Sequence, residues 1–141
     1  MKSVLQLFAT VLVLATPAHA QRDIVITQLD SAVVLMDSEG YTPLTNEIIG
    51  ILDSSEDEQF KIALRPGMTY MIVGVCDADC SDLDLVVSDV DGNELESDRE
   101  IDDVPMLYLE PETAMTGIVS VYMATCSNSC VYGVRVFEAA N

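Results

Sequence analysis

The sequence predicts a small all-β domain, an antiparallel jelly-roll-like β-sandwich preceded by a short N-terminal helix. Beyond Pro43, short apolar segments alternate with turn residues, which is typical of antiparallel β-structure. Within segments 60–64 and 83–87 the apolar side chains occupy alternate positions, so one face of each strand is expected to be buried. Half of the 141 residues are apolar, enough for one core in one domain.

Residues 1–20 have the pattern of a secretory signal peptide. Lys2 precedes an apolar segment that is unbroken from Val11 to Ala15, and Ala18-His19-Ala20 forms an A-x-A cleavage signal. The alternative is a membrane anchor, but the segment is shorter than the roughly 20 apolar residues that a spanning helix needs. We therefore expect cleavage after Ala20, a periplasmic or extracellular location, and no membrane insertion of the mature chain.

Segment 21–45 is predicted to carry the helix. Ile24, Ile26, Leu29, Val33 and Met36 recur at nearly helical spacing. Asp23 is the predicted N-cap and Gly40 the predicted C-terminal stop, which places the helix at 23–38. The β-branched residues of 24–27 leave a strand there as the alternative.

Segment 46–141 is predicted to form the sandwich. The intervals between its turn residues are typical of a sandwich or jelly roll. The predicted strands are 47–52, 58–64, 69–76, 83–88, 94–97, 106–109, 117–123 and 132–137.

The four cysteines form two C-x3-C motifs, Cys76 with Cys80 and Cys126 with Cys130. An even cysteine count in an exported domain indicates structural disulfides, and a four-cysteine zinc site is the weaker alternative. An extended C-x3-C separates its ends by about 13 Å, beyond the reach of about 7 Å that a disulfide allows. Asp-Ala-Asp and Ser-Asn-Ser favour the turn that local pairing needs, so local pairs are predicted, with cross-pairing between the two motifs as the alternative.

The chain is strongly acidic, with 24 acidic residues and a formal net charge of −18. Repulsion therefore excludes nucleic acid and anionic lipid as natural partners. Solubility in a salty medium explains the acidity most simply, and divalent-cation binding is the alternative. His19, the one histidine, lies within the predicted signal peptide, so the mature chain has no histidine for a catalytic triad or a zinc site.

Segment 82–98 is predicted to be an acidic hairpin. Asp89 to Gly92 has the form of a type I turn closed by a left-handed glycine. The resulting register places Val87 opposite Leu95 and Asp84 opposite Asp98. An EF-hand loop is the alternative, but Glu94 occupies the position where such a loop needs glycine.

An oxygen-rich calcium site is a further hypothesis for one end of the sandwich. Its candidate ligands all lie in or near the predicted loops and are Asp77, Asp79, Asp82, Asp84, Asp98, Asp102 and Asp103. Paired carboxylates also serve hydrolases, but such chemistry needs an acid held in a sheltered cleft, and these side chains are expected to be solvated. No catalytic residue and no required cofactor are predicted.

Several motifs together resemble the bacterial pre-peptidase C-terminal domain, in particular small stand-alone exported proteins of that type. The resemblance covers about residues 60–137. It rests on Leu-x-Pro-Gly-x-x-Tyr at 64–70, Gly-Val-Cys-Asp-Ala-Asp-Cys-Ser-Asp-Leu-Asp-Leu at 74–85, Asp-Gly-Asn at 91–93, Asp98, Asp-Asp-x-Pro at 102–105, Thr-Gly at 116–117 and Cys-x3-Cys-x-Tyr-Gly-Val at 126–134.

The resemblance implies a jelly-roll sandwich that is not itself catalytic and that binds calcium in some members. Such domains follow the catalytic unit of secreted proteases, whereas this chain has no protease domain. We expect a non-catalytic binding or accessory module for a protein or polysaccharide that the sequence does not identify. A structural envelope protein docking through its helix is the first alternative, and a hydrolase using the acidic cluster is the second.

Overall fold

The computed structural model describes residues 17–141 and consists of one helix and nine strands. Most of the predicted signal peptide, residues 1–16, lies outside the described residues. The elements are α1 (Pro17–Ser38), β1 (Thr42–Pro43), β2 (Ile48–Leu52), β3 (Asp57–Leu64), β4 (Met68–Cys76), β5 (Cys80–Ser88), β6 (Glu94–Asp98), β7 (Met106–Leu109), β8 (Met115–Cys126) and β9 (Cys130–Ala140).

The strands form two antiparallel sheets that pack as a sandwich. The first sheet has the order β2-β9-β4-β7, with β1 beside β9 on the same side as β2. The second sheet has the order β3-β8-β5-β6. Since successive strands from β2 to β9 form two four-stranded sheets in this order, the connectivity is that of a jelly roll, as the sequence predicted.

Two cores hold the domain together. The larger lies between the sheets and includes Tyr70, Leu85 and Val121, each fully buried. The smaller lies between α1 and the outer face of the first sheet, where Val25 and Leu29 are fully buried. The helix is therefore an integral layer of the fold, because its apolar side seals the back of the first sheet.

The helix was predicted correctly in existence, but it begins earlier than predicted and its buried face differs at Ile24. Asp23 is not an N-cap, because α1 already includes Ala20 and Gln21, both good helix formers. Ile24 is 43% exposed and Val25 is fully buried in its place, whereas Leu29 and Met36 are buried as predicted. Gly40 ends the helix as predicted, with φ of 87°.

The cause of the burial of Val25 lies in β9. A Cβ atom at Gly133 would lie 2.6 Å from Val25 Cγ1 and 2.8 Å from Leu29 Cδ1. The absent side chain thus creates the depression that receives the helix, and only the stripe containing Val25 and Leu29 fits it.

The predicted register of the acidic hairpin was wrong beyond its tip. Ser88 pairs with Glu94, as the predicted loop requires, but Val87 pairs with Glu96 and Leu85 with Asp98. A β-bulge at this point leaves Leu95 without a partner and shifts all later pairs by one residue. Asp84 therefore does not face Asp98 directly, and Leu95 is 39% exposed instead of lying opposite Val87.

Candidate functional site

The two C-x3-C motifs form local disulfides, Cys76–Cys80 and Cys126–Cys130, each with a Cα–Cα distance of 6.0 Å. The pairing that the sequence favoured is therefore present. Cys80 lies opposite Cys126 in the ladder of β5 and β8, which places the two disulfide loops side by side at one end of the sandwich.

Asp77 connects these loops from within. It is 1% exposed, and its carboxylate accepts hydrogen bonds from the N–H groups of Val131 at 2.6 Å and Asp79 at 3.1 Å. Its own N–H donates to the carbonyl of Val131 at 3.0 Å. The Asp77 side chain is therefore a structural acceptor that fixes the first loop to the start of β9.

Asp79 joins the helix to the same end of the molecule. Its Oδ2 accepts a 2.8 Å hydrogen bond from Gln21 Nε2 on α1. Its backbone carbonyl accepts bonds from the N–H and the hydroxyl of Ser127, at 3.0 and 3.1 Å. One residue thus links the helix and both disulfide loops.

Asp98 is used differently, at the opposite side of the sandwich from β2. Its Oδ2 accepts a 2.9 Å hydrogen bond from the N–H of Met106, so a β6 carboxylate joins the edge of β7 in the other sheet. Its Oδ1 accepts from the N–H of Glu100 at 3.1 Å. Asp102 similarly accepts from the N–H of Val104, at 2.9 Å, whereas Asp103 is exposed in the same loop.

Asp82 and Asp84 lie on the outer face of β5. The pKa of the Asp84 carboxyl is raised, first by burial and then by the negative charges of Asp82 and Asp98, while Arg99 opposes the shift. Asp82 Oδ1 is buried without a hydrogen-bond partner among the described residues. Asp82, Asp84 and Asp98 are therefore the predicted calcium ligands whose negative charges act on one another.

The structure places four of the seven predicted calcium ligands in hydrogen bonds to backbone N–H groups or to Gln21. Within residues 17–141, no three acidic, cysteine or histidine side chains form a group able to hold a metal ion. Calcium binding at these residues stays a prediction.

The hairpin tip satisfies its own polar groups. Asp89 accepts hydrogen bonds from the N–H groups of Asp91 and Asn93 and from Asn93 Nδ2, at 2.9, 2.8 and 2.7 Å. These bonds, those from Asn93 above all, lower the pKa of Asp89. The segment is a hairpin, as predicted in preference to an EF-hand loop.

A groove that the sequence did not predict lies where the edge strands β6 and β7 of the two sheets approach each other. Its volume is about 490 Å³. Its apolar and aromatic side chains include Leu95, Tyr108 and Met115, and its acidic ones are Glu96, Glu110 and Glu112. None of the lining residues is basic.

The bulge explains why this groove was missed. The predicted register placed Leu95 in the interior, whereas the bulge makes it a groove residue. Tyr108 is 49% exposed, and its hydroxyl donates to Glu110 at 3.2 Å. Burial and then Glu110 raise the pKa of Tyr108, so its hydroxyl stays protonated at neutral pH. The sequence signal was the alternation in the short strand β7, where Met106 and Tyr108 are exposed and Leu107 and Leu109 are buried.

No protein-family model matches the chain, and no curated protein matches it. The likeness to the pre-peptidase C-terminal domain therefore stays a prediction from the quoted motifs. In the described part of the chain, no helix has the length and apolarity that a membrane crossing needs.

Proposed function

We propose that this chain is an exported, non-catalytic binding module, and that its ligand surface is the β6–β7 groove. The observation that carries this proposal is the composition of the groove, in which the exposed side chains of Leu95 and Tyr108 and the half-buried Met115 lie beside three glutamates with no basic residue. A ligand of matching chemistry is a polypeptide segment that combines lysine or arginine with apolar residues.

Export is supported by two independent features. The first 20 residues have the pattern of a signal peptide, and both cysteine pairs are disulfides. Disulfides persist in the periplasm and outside the cell, where glutathione does not reduce them. The four-cysteine zinc alternative has no support in this arrangement, because each cysteine sulfur is already bonded to another.

A binding role is favoured over catalysis by the way the carboxylates are used. Asp77 and Asp98 accept hydrogen bonds from backbone N–H groups, so they are committed to fixing loops and joining sheets. The groove glutamates line an open surface. A hydrolase would instead need one sheltered acid of raised pKa beside a cleft.

The proposal is tested by fluorescence anisotropy with two labelled peptides, one alternating lysine and leucine and the other alternating glutamate and leucine. We expect binding of the lysine peptide alone, weakened by added salt. Glu112→Gln removes a groove charge and should weaken binding about two- to fivefold. Glu39→Gln, at the exposed C-terminal end of α1, is the matched control and should have no effect. Equal binding of both peptides, or equal loss in both variants, would contradict the proposal.

A second candidate, a structural envelope protein that docks through its helix, is favoured by one observation. Val34 and Leu35 on α1 are 73% and 54% exposed, and Leu35 borders an apolar hollow shared with Val73 and Met106. Because α1 seals the smaller core, deleting it would expose the first sheet, so point variants are the proper test. Val34→Ser with Leu35→Ser should then abolish co-purification with envelope material while leaving the unfolding midpoint nearly unchanged.

Calcium stabilisation is a separate proposal, drawn from the seven candidate aspartates and from the resemblance. Unfolding midpoints measured with millimolar calcium and with chelator would differ if calcium bound the native state preferentially.

A further inference from the structure

We propose that β2 is a self-pairing edge strand through which two copies of this chain associate into a dimer, so that their first sheets form one continuous sheet. The inference goes beyond the binding function, because β2 and the β6–β7 groove lie at opposite sides of the sandwich. A dimer formed through β2 would leave both grooves free at its two ends.

β2 differs from the other sheet edges in its composition. Within the described chain it pairs only with β9, so alternate N–H and C=O groups along its other side have no strand partner. Its sequence, Ile-Ile-Gly-Ile-Leu, contains no charged residue, and Ile51 is 60% exposed.

The other three edges carry features that discourage strand addition. Charged side chains interrupt β3, which includes Asp57, Glu58 and Lys61. β6 carries Glu94, Glu96 and Asp98. β7 has only four residues, and the N–H of Met106 at its start is already bonded to Asp98. Edge charges are a usual protection against unwanted pairing, and β2 has none.

The β2 sequence is also complementary to itself. About a two-fold axis at Gly50, antiparallel pairing places Ile48 opposite Leu52 and Ile49 opposite Ile51 of the second copy. Every pair on both faces is then apolar, with glycine opposite glycine at the centre. Pro43 in β1 cannot donate a backbone hydrogen bond, so the pairing is confined to β2.

The outer face of β2 has room for the second copy. A hollow of about 460 Å³ is lined by Ile49, Gly50, Ile51 and Val131 and, on the helix, by Arg22 and by His19 of the predicted signal peptide. Ile49 of each copy would lie opposite Ile51 of the other. The exposed Ile51 side chain of each copy would therefore enter the hollow of the other copy. The association would bury the most exposed side chain of the strand twice.

Charge determines how the dimer should respond to salt. Glu47 and Asp53, which flank β2, would face each other across the two-fold axis, and the whole chain carries a net charge of −18. Arg135 Nη1 lies 2.8 Å from Glu47 Oε1, and its positive charge offsets part of this repulsion. Association should therefore become stronger as salt is added, opposite to the salt response of the groove ligand.

Sedimentation equilibrium of the purified full chain from about 10 μM to 1 mM tests the proposal, with the mass expected to rise towards twice that of the monomer. Ile51→Glu should weaken association at least about tenfold, since each dimer contains the substitution twice. Ile101→Glu makes the same change at a residue that is 88% exposed in the loop between β6 and β7, and should leave association unchanged.

Amide hydrogen exchange locates the contact independently. Exchange of residues 48–52 should slow as the protein concentration rises, while exchange in β3 should not change. A monomer at every concentration and salt level would overturn the proposal. So would a dimer that Ile51→Glu and Ile101→Glu weaken equally, or one that dissociates when salt is added.

Discussion

The hydroxyl of Tyr132 on β9 donates a 2.6 Å hydrogen bond to Glu58 Oε2 on β3, joining the two sheets at one side of the sandwich. The tyrosine is 1% exposed. Gly50 permits this contact, because a Cβ atom there would lie 2.5 Å from Tyr132 Cε1 and 2.6 Å from its hydroxyl. Asp98 and the N–H of Met106 join the sheets at the other side.

Tyr132→Phe removes this hydrogen bond and keeps the ring. We expect the free energy of unfolding to fall by about 1.5–3 kcal/mol, because the acceptor is a charged group. Urea unfolding measures it. Tyr122→Phe is the matched control: Tyr122 is 37% exposed on β8 and should change stability by less than about 0.5 kcal/mol. Equal losses in the two variants would show that the sheets do not depend on this bond.

The raised pKa of Tyr132 predicts that the free energy of unfolding depends on pH in the alkaline range. Burial, and then the bond to Glu58, raise the pKa of Tyr132 well above its ordinary value. A raised tyrosine pKa means that the folded chain holds the proton more tightly than the unfolded chain. The stability from Tyr132 is therefore complete below about pH 10 and declines above it, so the difference between wild type and Tyr132→Phe should shrink there.

Helix docking depends on the close approach of Val25 to Gly133. Gly133→Ala places a methyl group 2.6 Å from Val25 Cγ1, and we expect a loss of about 1–3 kcal/mol in unfolding free energy. Val25→Ala alone should also destabilise the chain, by creating a cavity. In the double variant the two losses should be less than additive, since the smaller side chain makes room for the new methyl. Strict additivity would show that the two sites do not touch.

Alternating apolar residues and cysteine spacing were sufficient to predict eight strands, the helix and both disulfides. β1 was missed because Thr42–Pro43 is too short to carry any periodicity, although it pairs with Glu138 and Phe137. This strand lies in segment 21–45, so the first sheet of the structure already begins inside the segment predicted to be helical.

The candidate site was harder to predict because it depends on one inserted residue. A β-bulge changes the facing of every later residue in its strand, and a single strand read by alternation does not reveal it. Leu95 consequently moved from the expected interior to the groove. The burial of Val25 in place of Ile24 was also hard to predict from the helix sequence. It depends on Gly133, which lies on β9, far along the chain from the helix.

Asp77 should be the acidic residue whose loss is most damaging at the disulfide end. Asp77→Asn keeps one acceptor oxygen but directs an NH2 group at one of two backbone N–H donors, Val131 or Asp79. We expect a loss of about 1–3 kcal/mol in unfolding free energy. Asp103→Asn, in an exposed loop, is the control and should be nearly neutral. If both variants unfold alike with both disulfides intact, the Asp77 carboxylate does not hold the loops together.

Asp84 should behave in the opposite way. Because burial and the charges of Asp82 and Asp98 raise its pKa, the ionised form is disfavoured in the folded state. Stability should therefore rise as the pH falls from neutral through the folded pKa, and Asp84→Asn should stabilise the chain at pH 7 by roughly 0.5 kcal/mol. Water screens this partly exposed group, so added salt should reduce the gain.

Urea unfolding at pH 7 and pH 4 checks this expectation, with Asp91→Asn at the exposed hairpin tip as the control. Measuring both variants in calcium and in chelator separates repulsion from metal binding. If repulsion acts alone, Asp84→Asn is the more stable protein in both solutions. If Asp84→Asn is less stable than wild type in calcium but not in chelator, the carboxylate holds a cation, because only a bound ion converts mutual repulsion into stabilisation.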